Sequence, residues 1–99
     1  GDVGVVPNPY RVNSGFKEGE HLRQLRFTNL PALCTIRIFT LNGESVSTIY
    51  HDDPASGNAW WDMRTVNNQE VSPGLYIFHV EEPNSSGGDP FIGKFAVIR

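Results

Sequence analysis

Three histidines, His21, His51 and His79, a single cysteine, Cys34, and a scatter of carboxylates are the residues that could bind a metal or move a proton. The histidines fall in a loop, at a strand end and within a strand, and none has a partner at metal-ligand spacing. The stretch "HDDP" sets Asp52 beside Asp53, and together with Asp62 these could offer clustered oxygens to a hard cation such as calcium. They lack the regular alternation of a dedicated calcium loop, and an aspartate before Pro54 equally suits a plain turn. Glu18/Glu20 and Glu81-Glu82 sit at loop or strand ends, without the burial that raises a carboxyl into the range of a general acid. No G-x-S-x-G elbow or accompanying base turns any serine into a nucleophile. In "ALCTIRIF", Cys34 opens a strand, where it reads as a small buried hydrophobe rather than a reactive thiol. The expectation is a non-enzymatic protein with no cofactor and no metal.

Trp60-Trp61 is the remaining chemical feature. Neighbours on a strand point to opposite faces, so one indole enters the core and the other is exposed or covered by a loop. Whichever tryptophan is exposed could contact a partner protein or stack on a sugar ring, with Trp60 as the candidate contact; the blander reading absorbs both indoles into the core and its rim. Asn84-Ser85-Ser86 fits a glycosylation acceptor, a tripeptide too common by chance to carry weight.

These residues need a scaffold, and the totals bound it. Ninety-nine residues make one domain, and a chain of this size hides roughly two-thirds of its unfolded surface without staples. Hydrophobic residues are 38% and charged residues 19%, which excludes a disordered charged tail. The net charge is −3 and the eight basic residues are scattered singly, so no basic patch exists for a nucleic-acid backbone. No apolar run reaches the length of a membrane span. A lone cysteine cannot form an intrachain disulfide, which is compatible with the cytosol or with an exported protein. Nothing at Gly1 resembles a signal peptide, and Gly1-Asp2 is not a start; the chain reads as part of a longer precursor.

Amphipathic helix signals are nearly absent. Short apolar segments rich in Val, Ile, Phe, Tyr and Thr alternate with Gly, Pro, Asn and Asp, which predicts strands near 3–6, 23–28, 34–41, 45–50, 58–63, 74–82 and 91–98. Leu25 and Phe27 fall on one face, Ile36 and Ile38 oppose Arg37, and Phe95 and Val97 point inward with Lys94 outward. Asn42-Gly43 predicts a type I′ hairpin turn between the third and fourth of these strands. Pro73-Gly74 predicts a sharp corner, after which Tyr76, Phe78 and Val80 enter the core. Leu75, Ile77 and His79 form a second face, apolar enough to be partly covered. "VVPNPYRVN" is extended, because each proline biases its predecessor away from helix, and residues 1–10 are expected to form an N-terminal segment or edge strand ahead of a sandwich over 11–99. Seven short strands at roughly ten-residue spacing predict an all-β, immunoglobulin-like antiparallel sandwich.

The motifs "VVPNPY", "TIRIFTLNGESV", "WWDMRTVNNQEVSPGLYIFHV" and "GKFAVIR" occur in an order that resembles the type A C-terminal sorting domains of proteins exported by the type IX secretion system. They are equally similar to the immunoglobulin-like domain of flagellar hook-capping proteins. Those families carry a Y-P-N-P opening, an I-Y-D-x-x-G-x-x-V hairpin, a W-D-G-x-x-x-x-G-x-x-V turn, a G-x-Y strand and a basic residue near the last strand. Pro7, Asn8 and Pro9 match the opening, Gly43 and Val46 the hairpin, Trp61 and Asp62 the turn, Gly74 and Tyr76 the strand, and Lys94 and Arg99 the terminal basic positions. This chain departs from the pattern at Val6, at Thr40 in place of the hairpin Asp, at Met63 and Asn68 in place of the turn glycines, and in the longer segment "NSGFKEGEHLRQ".

The resemblance implies an extracellular or cell-surface bacterial domain at the end of a precursor, read by an export machine and then cleaved or anchored. Its partners would be proteins, through backbone pairing at strand edges. Two alternatives remain open: a self-assembling filament or adhesion subunit, a homo-oligomer in which residues 1–10 add as a strand to a neighbour's open sheet edge, and a carbohydrate-binding module using Trp60 or Trp61.

Overall fold

Alternation decides which side chains go inside, and the computed structural model, which describes residues 2–12, 24–83 and 90–98, follows it closely. Its strands are β1 (Gly4–Val6), β2 (Tyr10–Arg11), β3 (Leu25–Thr28), β4 (Leu33–Thr40), β5 (Ser45–Asp52), β6 (Ala59–Trp61), β7 (Gly74–Glu81) and β8 (Phe91–Ile98). They form a three-stranded sheet, β1-β3-β6, and a five-stranded sheet, β2-β8-β7-β4-β5. The architecture is the predicted all-β sandwich, with two departures. An eighth strand is present, because Tyr10-Arg11 is too short and too close to Pro9 to show a period in sequence. It runs parallel to β8, with Tyr10 opposite Val97 and Arg11 opposite Ile98, while the other strand pairings among the described residues are antiparallel.

The inner faces meet in one core. Leu25 and Phe27 from the small sheet and Ile36, Ile38, Phe78, Phe95 and Val97 from the large one are almost wholly buried. Each large side chain removed from water contributes about 1.5–3 kcal/mol. The aromatic rings touch edge to face: Phe27 lies 5.2 Å from Phe78 at 68° and 6.4 Å from Phe95 at 81°. Leu75, Ile77 and His79 occupy the outer face of β7, as the period requires.

Two local features set the shape of the hairpin between β4 and β5. Of Asn42 and Gly43 only Gly43 has positive φ, 90°, so the type I′ turn expected from the pair does not form. Gly43 N–H donates to the Thr40 carbonyl at 2.9 Å and Thr40 N–H to the Glu44 carbonyl at 2.9 Å. The glycine thus sits one place later, as the left-handed residue closing a three-residue loop. Beyond it the register slips: Phe39 faces Ser45 and Ile38 faces Ser47, which leaves Val46 as the extra residue of a bulge. Its side chain is buried, and its carbonyl turns outward to accept Val66 N–H at 3.0 Å.

Gly93 of β8 lies against Phe78. A Cβ there would stand 2.4 Å and 2.6 Å from two ring carbons, and Phe78 has rings against it from Phe27, Phe91 and Phe95. Gly93→Ala is therefore expected to destabilise the domain by about 1–3 kcal/mol, the usual range for overpacking. Urea unfolding checks this; an unchanged midpoint would mean that the ring can move aside.

Candidate functional site

The sequence motifs land on the places where the chain changes sheet or direction. The first is Pro7-Asn8-Pro9, which carries the chain from β1 in the small sheet to β2 in the large one; both proline bonds, Val6-Pro7 and Asn8-Pro9, are cis. Proline has no N–H to offer a ladder, and the Asn8 side chain supplies the missing groups. Its Nδ2 donates to the Lys94 carbonyl at 3.3 Å and its Oδ1 accepts Ala96 N–H at 3.1 Å. These groups flank Phe95, so the carboxamide imitates the peptide of one more residue in a parallel strand. Tyr10, Arg11 and Val12 continue the ladder, the last by Val12 N–H to the Ile98 carbonyl at 2.7 Å.

The second motif group is a turn used twice. In Thr40-Leu41-Asn42-Gly43-Glu44, the Thr40 hydroxyl also accepts Glu44 N–H at 3.1 Å. Thr65-Val66-Asn67-Asn68-Gln69 repeats the arrangement: Asn68 N–H donates to the Thr65 carbonyl at 2.8 Å, Thr65 N–H to the Gln69 carbonyl at 2.8 Å, and Gln69 N–H to the Thr65 hydroxyl at 3.3 Å. The fourth residue is left-handed each time, Gly43 at φ 90° and Asn68 at φ 63°. The spacing Thr-x-Asn-Gly/Asn-Glu/Gln was the signal in the sequence, and the reading from dipeptides missed it. Like an aspartate at the start of a turn, Thr40 can hold its loop through a side-chain oxygen that accepts a backbone N–H. Met63 also has positive φ, 62°, so both departures from turn glycine fall on left-handed backbone.

Trp61 and Asp62 direct the start of this second loop. Asp62 Oδ1 accepts Arg64 N–H at 3.1 Å, which turns the Arg64 carbonyl toward Trp61 Nε1 at 3.1 Å. The indole is buried and meets Phe95 edge to face at 6.0 Å. Tyr76, near the start of β7, stacks on Phe95 at 5.4 Å and donates its hydroxyl to the Ser72 carbonyl four residues upstream, the tyrosine corner of immunoglobulin-like sandwiches. Burial raises the Tyr76 phenol above its ordinary value, against the lowering effect of that hydrogen bond. Gly74 opens β7 opposite Val97 with extended backbone. Lys94 is exposed on β8, and Arg99 lies outside the described residues.

The residues considered for chemistry stand apart. His51 is buried and bonds through Nε2 to the Ser56 carbonyl at 2.9 Å, while His79 packs on Phe39 at 4.9 Å. Asp53 Oδ1 accepts Ala55 N–H at 2.9 Å in a plain turn. Glu81 pairs with Arg37 at 3.1 Å. Cys34 is buried, and its thiol is raised above the ordinary value, first by burial and then by the Glu82 charge. Among the described residues no group of three His, Cys, Asp or Glu side chains could hold a metal ion, and no helix is long and apolar enough to cross a membrane. His21, Glu18, Glu20 and Asn84 lie outside the described residues.

Two surfaces remain for a partner. On the outer face of the small sheet, Trp60 is 54% exposed beside Val6, Pro7, Gln24 and Arg26, around a shallow groove of about 450 Å³. On the large sheet Leu75 and Ile92 are each more than half exposed, as is Leu41 in the loop after β4.

No protein-family model matches the chain, and no curated protein matches it either. Among solved structures the chain is similar to PorZ, an essential bacterial surface component of the type-IX secretion system of Porphyromonas gingivalis, with 26% sequence identity and a TM-score of 0.73. The similarity covers 98% of this chain and 11% of PorZ, so the chain spans a small fraction of that protein's length.

Two predictions follow from the corners. Asn8→Ala removes both bonds to β8 and is expected to cost about 1–2 kcal/mol, read by urea unfolding; a loss within error of zero would mean that the carboxamide does not hold the crossing. At the left-handed positions the signs should differ. Asn68→Gly relieves an exposed side chain and should stabilise by up to about 1 kcal/mol. Met63→Gly relieves the same backbone but empties a fully buried site, so a net loss of about 1–4 kcal/mol is expected.

Proposed function

We propose that this chain is a non-catalytic, immunoglobulin-like domain of an exported bacterial protein, serving its secretion and attachment at the cell surface through the type IX route. The observation that carries the reading is the likeness to part of a type IX surface component over 98% of this chain. The ordered run of motifs from Pro7 to Lys94 supports it independently. On this reading the motif residues build the recognised shape instead of reacting. Asn8, Thr40, Trp61, Asp62 and Tyr76 spend their polar groups on backbone N–H and carbonyl groups. What the machinery meets is then a rigid surface and its strand edges, where a partner can add by backbone pairing.

A second reading, a self-assembling filament or adhesion subunit, draws on β5, an eight-residue strand at the edge of the large sheet. Size-exclusion chromatography separates it from the first reading, which expects monomers.

Fusing residues 1–99 behind a reporter in a type IX-competent host is the test. The reporter is expected at the cell surface, accessible to added protease in intact cells. Retention in the periplasm would count against the reading.

A further inference from the structure

The row Val6–Arg26–Trp60 crosses all three strands of the small sheet on its outer face, since Val6 pairs with Arg26 and Arg26 with Trp60. Pairing fixes the spacing: neighbouring strands lie about 4.8 Å apart, so the row is about 10 Å long. Gln24 lies two residues from Arg26 on the same face, about 7 Å along the strand direction. An indole and a guanidinium on strands, with a carboxamide immediately before β3, thus surround one groove that Val6 and Pro7 also line.

This set is selective in what it suits. Trp60 is the aromatic of its sheet that the core does not use; Trp61 is buried directly beside it. The Arg26 side chain has no ion pair or hydrogen bond to any other described residue. The nearest carboxylate along β6, Asp62, is turned to its own loop, where Oδ1 accepts Arg64 N–H. The groove spans the face of the sheet from edge strand β1 to edge strand β6, and the unpaired backbone groups of those edges point outward in the plane of the sheet, so a peptide lying in the groove has no backbone ladder to join. A sugar ring with one apolar face, hydroxyls at its rim and an equatorial carboxylate matches the whole array: the apolar face on the indole, the carboxylate on the guanidinium, a hydroxyl on Gln24.

We propose that this face binds an acidic sugar, a pyranose bearing a carboxylate, as a unit of an extracellular polysaccharide. The proposal goes beyond the export reading and does not depend on it. Trp60 supplies the stacking platform and Arg26 the preference for acid over neutral sugar. The row is long enough for about two sugar units, so binding to a single site is weak and grows with the number of domains on one polymer.

Affinity electrophoresis of the purified chain tests it, in gels containing polygalacturonate or the same polymer as its methyl ester. Polygalacturonate is expected to retard the wild type and the methyl ester to do so less. Trp60→Ala should weaken binding about tenfold or more to both, while Arg26→Gln should weaken binding to the acid alone and erase the difference between the polymers. Both positions are exposed, and circular dichroism confirms that the variants fold. Equal retardation of wild type and Trp60→Ala, no retardation in either gel, or equal retardation by polyaspartate would overturn the proposal.

Discussion

The domain depends on what meets at Phe95. Its ring contacts Phe27 and Trp61 of the small sheet and Tyr76 and Phe78 of the large one, at centroid distances of 5.4–6.4 Å. Its peptide neighbours, the Lys94 carbonyl and Ala96 N–H, are the groups that Asn8 holds. The Phe95 ring and the backbone groups of its two neighbours in β8 therefore join both sheets and anchor the crossing between them. The β7 and β8 pairing supports the same point from beside it, because Gly93 leaves the space in which the Phe78 ring lies. Dispersion and burial supply the energy here, and the hydrogen bonds at the corners supply direction.

This division of labour explains why the motif residues look chemical in sequence and are structural in space. A carboxamide, a hydroxyl, an indole N–H, a carboxylate and a phenol each satisfy a backbone group at a place where the sheet ladder cannot. Once spent in this way they hold loops in fixed positions around a rigid sandwich. Among the described residues the small sheet then presents an aromatic and cationic face, and the large sheet a mixed one, with Leu75 and Ile92 beside Lys94 and the Arg37–Glu81 pair. Such a body suits recognition by shape and by strand edges, which is the task that the export reading assigns to it.

Much of the fold was legible because alternation is a strong signal when one face is buried. Leu25, Phe27, Ile36, Ile38, Phe95 and Val97 could be placed by period alone, while adjacency set the two indoles on opposite faces without telling which one the core takes. The turn between β4 and β5 was misassigned for a physical reason: Asn-Gly fits either central position of a type I′ turn or the end of a three-residue loop, and the Thr40 hydroxyl, bonded to Glu44 N–H, favours the second. The parallel β2 was hidden because two residues carry no period, and its partner is nearly ninety positions away. The role of Asn8 was likewise invisible, since it is a contact across that separation. Met63 and Asn68 could be seen to replace glycines, but only the backbone angles show that both keep the left-handed conformation.

The central claim is mechanical: two sheets of unequal width behave as one unit because they share the Phe95 cluster and the Asn8 crossing. Urea unfolding followed by two probes tests it most directly. Tryptophan fluorescence reports on β6 of the small sheet, and amide cross-peaks from β4 and β7 report on the large one. A single shared midpoint is expected, as for a cooperative domain; loss of the tryptophan signal at a clearly lower urea concentration, with β4 and β7 still folded, would contradict the account.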